Sequence, residues 1–258
     1  MNVPGDTLTT PLHETAATLD RELAHADPRE VLRAALDRLG DRCAISFSGA
    51  EDVLLLEYAH QLGRPFRVFT LDTGRLHPET LEFIATVERR YALRVEVCVP
   101  DRALLEPFVR AKGLFSFYED GHAECCELRK VEPLRRQLAG LEGWITGVRR
   151  DQSQDTRAAV PVVQIDPSFE GASGPLLKFN PLAARTRAEV WDTIQALDVP
   201  YNPLHLRGMS SIGCAPCTRP VVPGAHEREG RWWWERDEHK ECGLHREPRP
   251  DEGGASNS

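Results

Sequence analysis

From residue 27 to residue 99 the chain repeats one pattern: apolar residues three and four apart, then a short apolar run closed by polar residues or glycine. Helical spacing at 27–39 and 53–62 brackets the run Cys43-Ala44-Ile45-Ser46-Phe47, and a second run at 66–71 precedes helical spacing at 78–91. Runs at 94–99 and 143–146, with helical patterns near 102–112, 124–141 and 187–197, continue the rhythm. Such alternation predicts an α/β fold, a parallel twisted sheet with helices on both faces, whose ligand sits at the carboxyl ends of the strands. The stretch 167–175, with Gly171, Ser173 and Gly174 between two prolines, reads as a surface loop. Beyond Pro200 the periodicity fades into a segment, 201–246, crowded with Cys, His, Arg and Trp. Residues 1–25 read as an N-terminal extension, 26–246 as a single domain ending in an irregular segment, and 247–258 as a polar, disordered tail.

With 258 residues, 41% of them apolar, the chain has enough material for a real core. A formal charge of −8 argues against general affinity for nucleic acid or anionic membranes, although local basic clusters can still bind small anions. Without a long apolar window or a basic-then-apolar start, a cytoplasmic location is expected. In that reducing setting seven cysteines read as ligands, nucleophile or core residues before they read as disulfides. Cys43 and Cys98 lie in apolar runs and resemble small core hydrophobes.

Three turns carry polar chemistry at matching strand ends: Ser46-Phe47-Ser48-Gly49-Ala50-Glu51-Asp52, Leu71-Asp72-Thr73-Gly74-Arg75, and Thr146-Gly147-Val148-Arg149-Arg150. The first leads into a helix, so hydroxyls, a glycine and backbone N–H groups can cradle a phosphate or sulfate there. It lacks the Gly-Lys-Ser/Thr of a Walker loop and the three spaced glycines of a dinucleotide fold. Convergence of the three turns on a nucleotide explains their polarity better than turn formation alone.

The adjacent thiols Cys125 and Cys126 diverge by roughly 100° if helical, awkward for one tetrahedral ion. Together with Cys214 and Cys217 they suit a cubane with separate irons, but spacing alone leaves a four-thiolate zinc site equally open. Lys130, one helical turn after Cys126, can offset thiolate charge. Cys242 stands outside that set. With His245, Lys240, Arg231 and Arg228 near it in sequence, it reads as a nucleophile with a lowered thiol pKa. Trp232-Trp233-Trp234 reads as packing that pins this segment to the domain.

These residues resemble the assimilatory sulfonucleotide reductases, and within them the bacterial adenosine 5′-phosphosulfate (APS) reductases that carry an iron–sulfur cluster. The resemblance runs through 46–52, 71–76, 113–126, 144–153, 178–182, 213–220, 226–235 and 240–245. It implies an ATP-pyrophosphatase-like (adenine nucleotide alpha hydrolase-like) fold, although loop 46–52 departs from the Ser-Gly-Gly-x-Asp-Ser of that group. By resemblance Cys125, Cys126, Cys214 and Cys217 bind a [4Fe-4S] cluster. Cys242 then attacks the sulfate sulfur, expelling AMP and leaving an S-sulfocysteine, from which reduced thioredoxin releases sulfite for cysteine biosynthesis. Ser46, Ser48 and Gly49 would form the sulfonucleotide cradle, Leu71 and Thr73 would meet the nucleoside, and Gly147 and Arg157 would supply further contacts. Lys130, Arg228, Arg231 and His245 would surround the phosphosulfate, the catalytic segment being 226–246. The resemblance expects neither nucleic acid nor membrane as partner, and it allows a homo-oligomer. The alternatives are reduction of 3′-phospho-APS (PAPS) or of both substrates, an iron–sulfur RNA-thiolating enzyme, and a zinc-binding interaction module.

Overall fold

The computed structural model describes residues 9–153, 157–222, 224–235 and 244. Its sheet has six strands, β1 (Cys43–Ser46), β2 (Arg67–Leu71), β3 (Glu96–Cys98), β4 (Gly143–Ile145), β5 (Val163–Gly171) and β6 (Gly174–Phe179), in the order β3-β2-β1-β4-β6-β5. All neighbours are parallel except β5 and β6. The helices among the described residues are α1 (Thr9–Leu23), α2 (Pro28–Leu39), α3 (Ala50–Gln61), α4 (Pro78–Tyr91), α5 (Arg102–Lys112), α6 (Phe117–Asp120), α7 (Ala123–Cys126), α8 (Glu132–Leu138) and α9 (Arg187–Ala196). None of them is long and apolar enough to cross a membrane.

Local chemistry starts these helices where the sequence pattern places them. At α2, Asp27 Oδ1 accepts from Arg29 N–H at 2.9 Å while Glu30 Oε2 accepts from Asp27 N–H at 3.0 Å, a reciprocal cap with proline next in line. Thr186 and Glu189 build the same cap for α9. Side chains then alternate across the sheet with the strand period of two. Cys43, Ile45, Val68, Leu177 and Phe179 face a core closed by α2, α3, α4 and α9, whereas Ala44, Phe69, Trp144 and Leu176 face a smaller core with Leu134 and Leu138 of α8. Helices therefore cover both faces, as the alternation predicts. Cys43 is fully buried, and burial pushes its thiol up to about 12; Cys98, on edge strand β3, is only half-buried.

Two expectations need correction. The stretch 167–175 is not a loop: it belongs to the β5–β6 hairpin, with Gly171 opposite Gly174 across a two-residue turn. Pro167 is tolerated because β5 is an edge strand with a register shift between Ile165 and Glu170. Helix α1 lies against β5, Ala16 is buried, and Asp20 Oδ1 accepts from Val163 N–H at 2.9 Å. The second correction concerns the helix expected over 124–141. It breaks into α7, a π turn over Glu127–Val131, and α8. Pro133 supplies the reason, since it has no N–H for the carbonyl of Arg129 and its ring crowds that carbonyl. The ladder steps to Glu132 N–H bonding Glu127 O.

β1 lies between β2 and β4, so the turns at 46–49, 72–76 and 146–150 meet on one edge. The carboxylate of Asp52, in the first turn of α3, ties two of them together. Its Oδ2 accepts from Ser48 N–H (2.8 Å), Ser48 Oγ–H (2.9 Å) and Gly49 N–H (2.9 Å), and its Oδ1 accepts from Gly147 N–H (2.9 Å). A Cβ at Gly147 would stand 2.5 Å from Asp52 Oδ1 and 2.8 Å from Glu51 Cβ, so only glycine allows this approach. Burial, and then the neighbouring Glu51, push the Asp52 carboxyl up to about 6, against the donors that favour its charge.

A raised carboxyl binds its proton more tightly in the folded chain than in the unfolded one. Its contribution to stability is therefore full below the ordinary value of 3.8 and is lost as pH rises through about 6. Urea denaturation of the wild type and of Asp52→Asn, compared at each pH, should show the wild type gaining relative stability as pH falls from about 6 to about 4. A difference that stays constant over this window would place the carboxyl at its ordinary value.

Candidate active site

A cavity of about 200 Å³ opens where the three turns meet. Ser46, Ser48, Gly49 and Gly147 line it from the first and third turns, and Leu71 and Thr73 from the second. Lys130, Arg157, Arg228 and Arg231 bring positive charge to the same walls, and Trp144 and Leu134 add apolar surface. Every expected substrate residue within the described part of the chain thus lines one cavity. Cys242 and His245 lie outside the described residues, but Leu244, between them in sequence order, lines the cavity too.

Carboxylates also line this cavity, and sequence reasoning missed what they do. Arg149 is fully buried and pairs with Glu51 Oε1 at 3.0 Å, with Glu227 Oε2 at 2.9 Å, and with Asp151. Burial works against its charge, but Glu51 and Glu227 outweigh that and hold the guanidinium more firmly protonated than usual. The anion loop, the turn after β4 and segment 226–231 are joined through this one side chain. Arg228 and Arg231 flank Glu227 in sequence, so the pairing anchors the chain that presents them. The signal was present as an arginine between two candidate strand-end groups; its burial was not readable.

A second, smaller cavity adjoins the first, lined by Cys125, Cys126, Cys214 and Cys217 together with Arg75, Arg129, Lys130, Phe117 and His122. Lys130 and Cys214 line both cavities. The turn carrying Cys214 is held to the end of β2 by Ala215 N–H donating to Arg75 O at 2.8 Å, with Thr73 Oγ1 3.2 Å from Cys214 Sγ. The turn from Cys214 to Cys217 is held in turn to 231–235, where Trp232 N–H donates to Cys217 O at 3.1 Å. His122 at the start of α7 meets Glu235 twice, through its N–H (2.7 Å) and its Nδ1 (2.6 Å). All four thiols are buried. A hydrogen bond from Cys217 and the Lys130 charge hold the Cys214 thiol well below its ordinary range, while the same bond and burial push Cys217 up. Burial raises Cys125 against the pull of Arg129 and Arg75.

Among the described residues no group of three His, Cys, Asp or Glu side chains is arranged to hold one metal ion. The chemistry around the thiols is nevertheless that of a host for an acceptor-rich anion. Arg75 Nη1, Arg129 Nε and Trp232 Nε1 are buried donors without a hydrogen-bond partner among the described residues, and all belong to side chains beside the four thiols. A sulfur-rich, negatively charged group fits this set of donors and cations. As expected of the Trp run, Trp232 is fully buried and Trp234 packs on Phe117, whose carbonyl accepts from its Nε1 at 3.0 Å; Trp233 remains 42% exposed.

Residues 42–220 match the model of the phosphoadenosine phosphosulfate reductase domain. Over 227 residues the chain is 58% identical to adenosine 5′-phosphosulfate reductase of Pseudomonas aeruginosa, covering 88% of this chain and 85% of that protein. It is 59% identical over 241 residues to a probable chloroplastic 5′-adenylylsulfate reductase of Oryza sativa, covering 92% of this chain; it spans about half (51%) of that plant relative. Among solved structures, phosphoadenylyl-sulfate reductase from Candida auris, a phosphate complex, aligns with a TM-score of 0.66 at 27% identity over 81% of this chain and 97% of that one. FMN adenylyltransferase of Candida glabrata shares the fold alone, with a TM-score of 0.51 at 14% identity over 96% of this chain and 83% of the other. The sheet order, the strand-end cavity and these similarities lead to one statement: the chain belongs to the phosphoadenosine phosphosulfate reductase family, the sulfonucleotide reductases.

Proposed function

We propose that this protein reduces adenosine 5′-phosphosulfate to sulfite and AMP through an S-sulfocysteine on Cys242, with reduced thioredoxin as electron donor, in sulfate assimilation towards cysteine. The observation that carries the reading is the pair of adjoining cavities, one lined by strand-end turns and four cations, the other by four buried thiols, with Lys130 in the wall of both. The Pseudomonas relative, 58% identical, carries the name of that activity.

In this reading Ser46, Ser48, Gly49 and Gly147, held in shape by Asp52, line the nucleotide's place at the N-terminus of α3, where the helix dipole favours an anion. Leu71 and Thr73 meet the nucleoside, Arg157 adds a further contact, and Lys130, Arg228, Arg231 and His245 neutralise the phosphosulfate. The Cys242 thiolate attacks the sulfate sulfur; the bond from sulfur to the bridging oxygen breaks, and AMP departs with that electron pair. A thioredoxin thiolate then attacks Cys242 Sγ, sulfite leaves with the S–S electron pair, and the second thioredoxin thiol resolves the mixed disulfide. Leu244, two residues past Cys242, lies on the cavity wall and supports this placement of the nucleophile. Cys125, Cys126, Cys214 and Cys217 would hold a [4Fe-4S] cluster. When bound, it supplies a fixed anionic field next to Lys130, not a change of oxidation state in turnover.

Protein purified without oxygen should contain about four irons and four labile sulfides per chain. Replacing any one of Cys125, Cys126, Cys214 or Cys217 by serine should remove iron and activity together. Zinc without sulfide would overturn the cluster reading and leave the catalytic one standing.

Sulfite-release assays with APS and PAPS in parallel should show a clear preference for APS. In Cys242→Ser the metal content and APS binding should persist while the sulfonated protein, detected by mass spectrometry, disappears. Sulfite production by that variant would remove Cys242 from the mechanism.

Arg228→Gln should weaken AMP binding by roughly ten- to a hundred-fold in calorimetry, the usual consequence of losing a hydrogen bond to a charged group. Unchanged affinity would place the AMP phosphate away from segment 226–231.

A further inference from the structure

Of segment 240–245, whose chemistry lies in Cys242 and His245, the described residue is Leu244, and it is apolar. It is partly buried and packs against two cores at once. One is the smaller core under the sheet, with Leu134 of α8 and Trp144 of β4; the other holds Phe117, Trp232 and the four cysteines. Leu134, Trp144 and Leu244 also line the larger cavity together. Where so much of a cavity wall is charged or polar, an apolar side chain leaves water favourably only against the apolar part.

That part of the wall is held in place by buried charge which the proposed chemistry does not use. Trp144 Nε1–H donates to Asp166 Oδ2 at 3.1 Å, and Lys178 Nζ lies 3.2 Å from the same oxygen and 4.8 Å from the centroid of the indole ring. Asp166 Oδ1 accepts from the N–H groups of Ser168 (2.8 Å) and Phe169 (2.9 Å). Asp166, Lys178 and Trp144 are all buried. A buried ion pair adds little net stability, so its effect here is to hold the indole in one orientation. Leu134 reaches the same wall from α8, directly after the π turn that carries Lys130.

We infer that Leu244 is a positioning residue, the apolar anchor that seats the nucleophile segment against the wall of Leu134 and Trp144 and so brings Cys242 to the anion-binding cavity. Two peptide units hold the Cα atoms of residues 242 and 244 within about 7 Å of each other in any conformation, and His245 is joined to Leu244 directly. Seating the leucine therefore restricts both neighbours, which lowers the entropic cost of aligning a thiolate for attack. The inference rests on the proposal that Cys242 is the nucleophile. In the sequence this segment was read through its cysteine, histidine and lysine, and the leucine between them carried no signal of its own.

Mixing the enzyme with saturating APS in the absence of reductant, and following sulfonation of Cys242 by mass spectrometry, isolates the attack. Leu244→Ala removes three carbons from a partly buried contact, which should slow that step about ten-fold. Iron content should not change, and AMP affinity should stay within about two-fold. Leu244→Met, of similar volume, should keep the rate within about three-fold of wild type. In a Leu134→Ala background the further change Leu244→Ala should slow sulfonation by no more than about two-fold, because the seat is already damaged. A wild-type sulfonation rate in Leu244→Ala would overturn the inference. So would tighter AMP binding in that variant, which would show the leucine standing in the nucleotide's own space. A full ten-fold loss in the Leu134→Ala background would also overturn it, by putting the contact elsewhere. Wild-type protein that sulfonates another residue would instead overturn the assignment of the nucleophile itself. Should Leu134→Ala not accumulate in folded form, the two Leu244 variants decide the matter: equal rates in Leu244→Ala and Leu244→Met would leave the leucine no anchoring role.

Discussion

One carboxylate holds the anion-binding edge of this protein in shape. Parallel strands β1 and β4 deliver their turns side by side, but adjacency alone leaves each turn free to settle in many ways. Asp52 removes that freedom by accepting four hydrogen bonds, three from Ser48 and Gly49 and one across the strand boundary from Gly147. The N–H groups it takes up are those that a strand-to-helix turn would otherwise leave to solvent, so the cradle is organised before any ligand arrives. The absence of a Cβ at Gly147 is the steric half of the same arrangement.

Around that centre, buried charge is arranged in matched sets. Arg149 answers Glu51 and Glu227 at the back of the larger cavity, and this leaves Arg157, Arg228, Arg231 and Lys130 to face it. A buried ion pair contributes little net stability, because desolvation offsets most of the attraction. Its value here is positional: Glu227 ties a segment with no strand or helix of its own to the sheet edge, and the arginines on either side are carried with it.

The parallel part of the sheet, both helical layers and the meeting of three polar turns were legible because each leaves a local mark: period-two runs, helical spacing, and glycine with hydroxyls at strand ends. The four cysteines were legible for a different reason, since few residue types carry such chemistry and their spacing is distinctive. The β5–β6 hairpin was not, because Pro167, Pro175 and the nearby glycines are turn residues by composition, and only an edge position makes them acceptable in strands. The π turn was hidden in an otherwise helical pattern, although Pro133 marked where the ladder had to step. Asp52 and Arg149 looked like ordinary helix-start and turn residues; their roles come from partners about a hundred residues away. Nothing in a local window reports such a distance.

Lys130 stands in the wall of both cavities. Two anions placed on either side of one ammonium share its field, so neither can bind as though the other were absent. By linkage, whatever factor a negative group among the thiols contributes to the affinity for an anion in the larger cavity, that anion returns in equal measure to the group among the thiols. The wall between the two cavities is therefore also a two-way meter, on which occupancy of one side can be read from the energetics of the other.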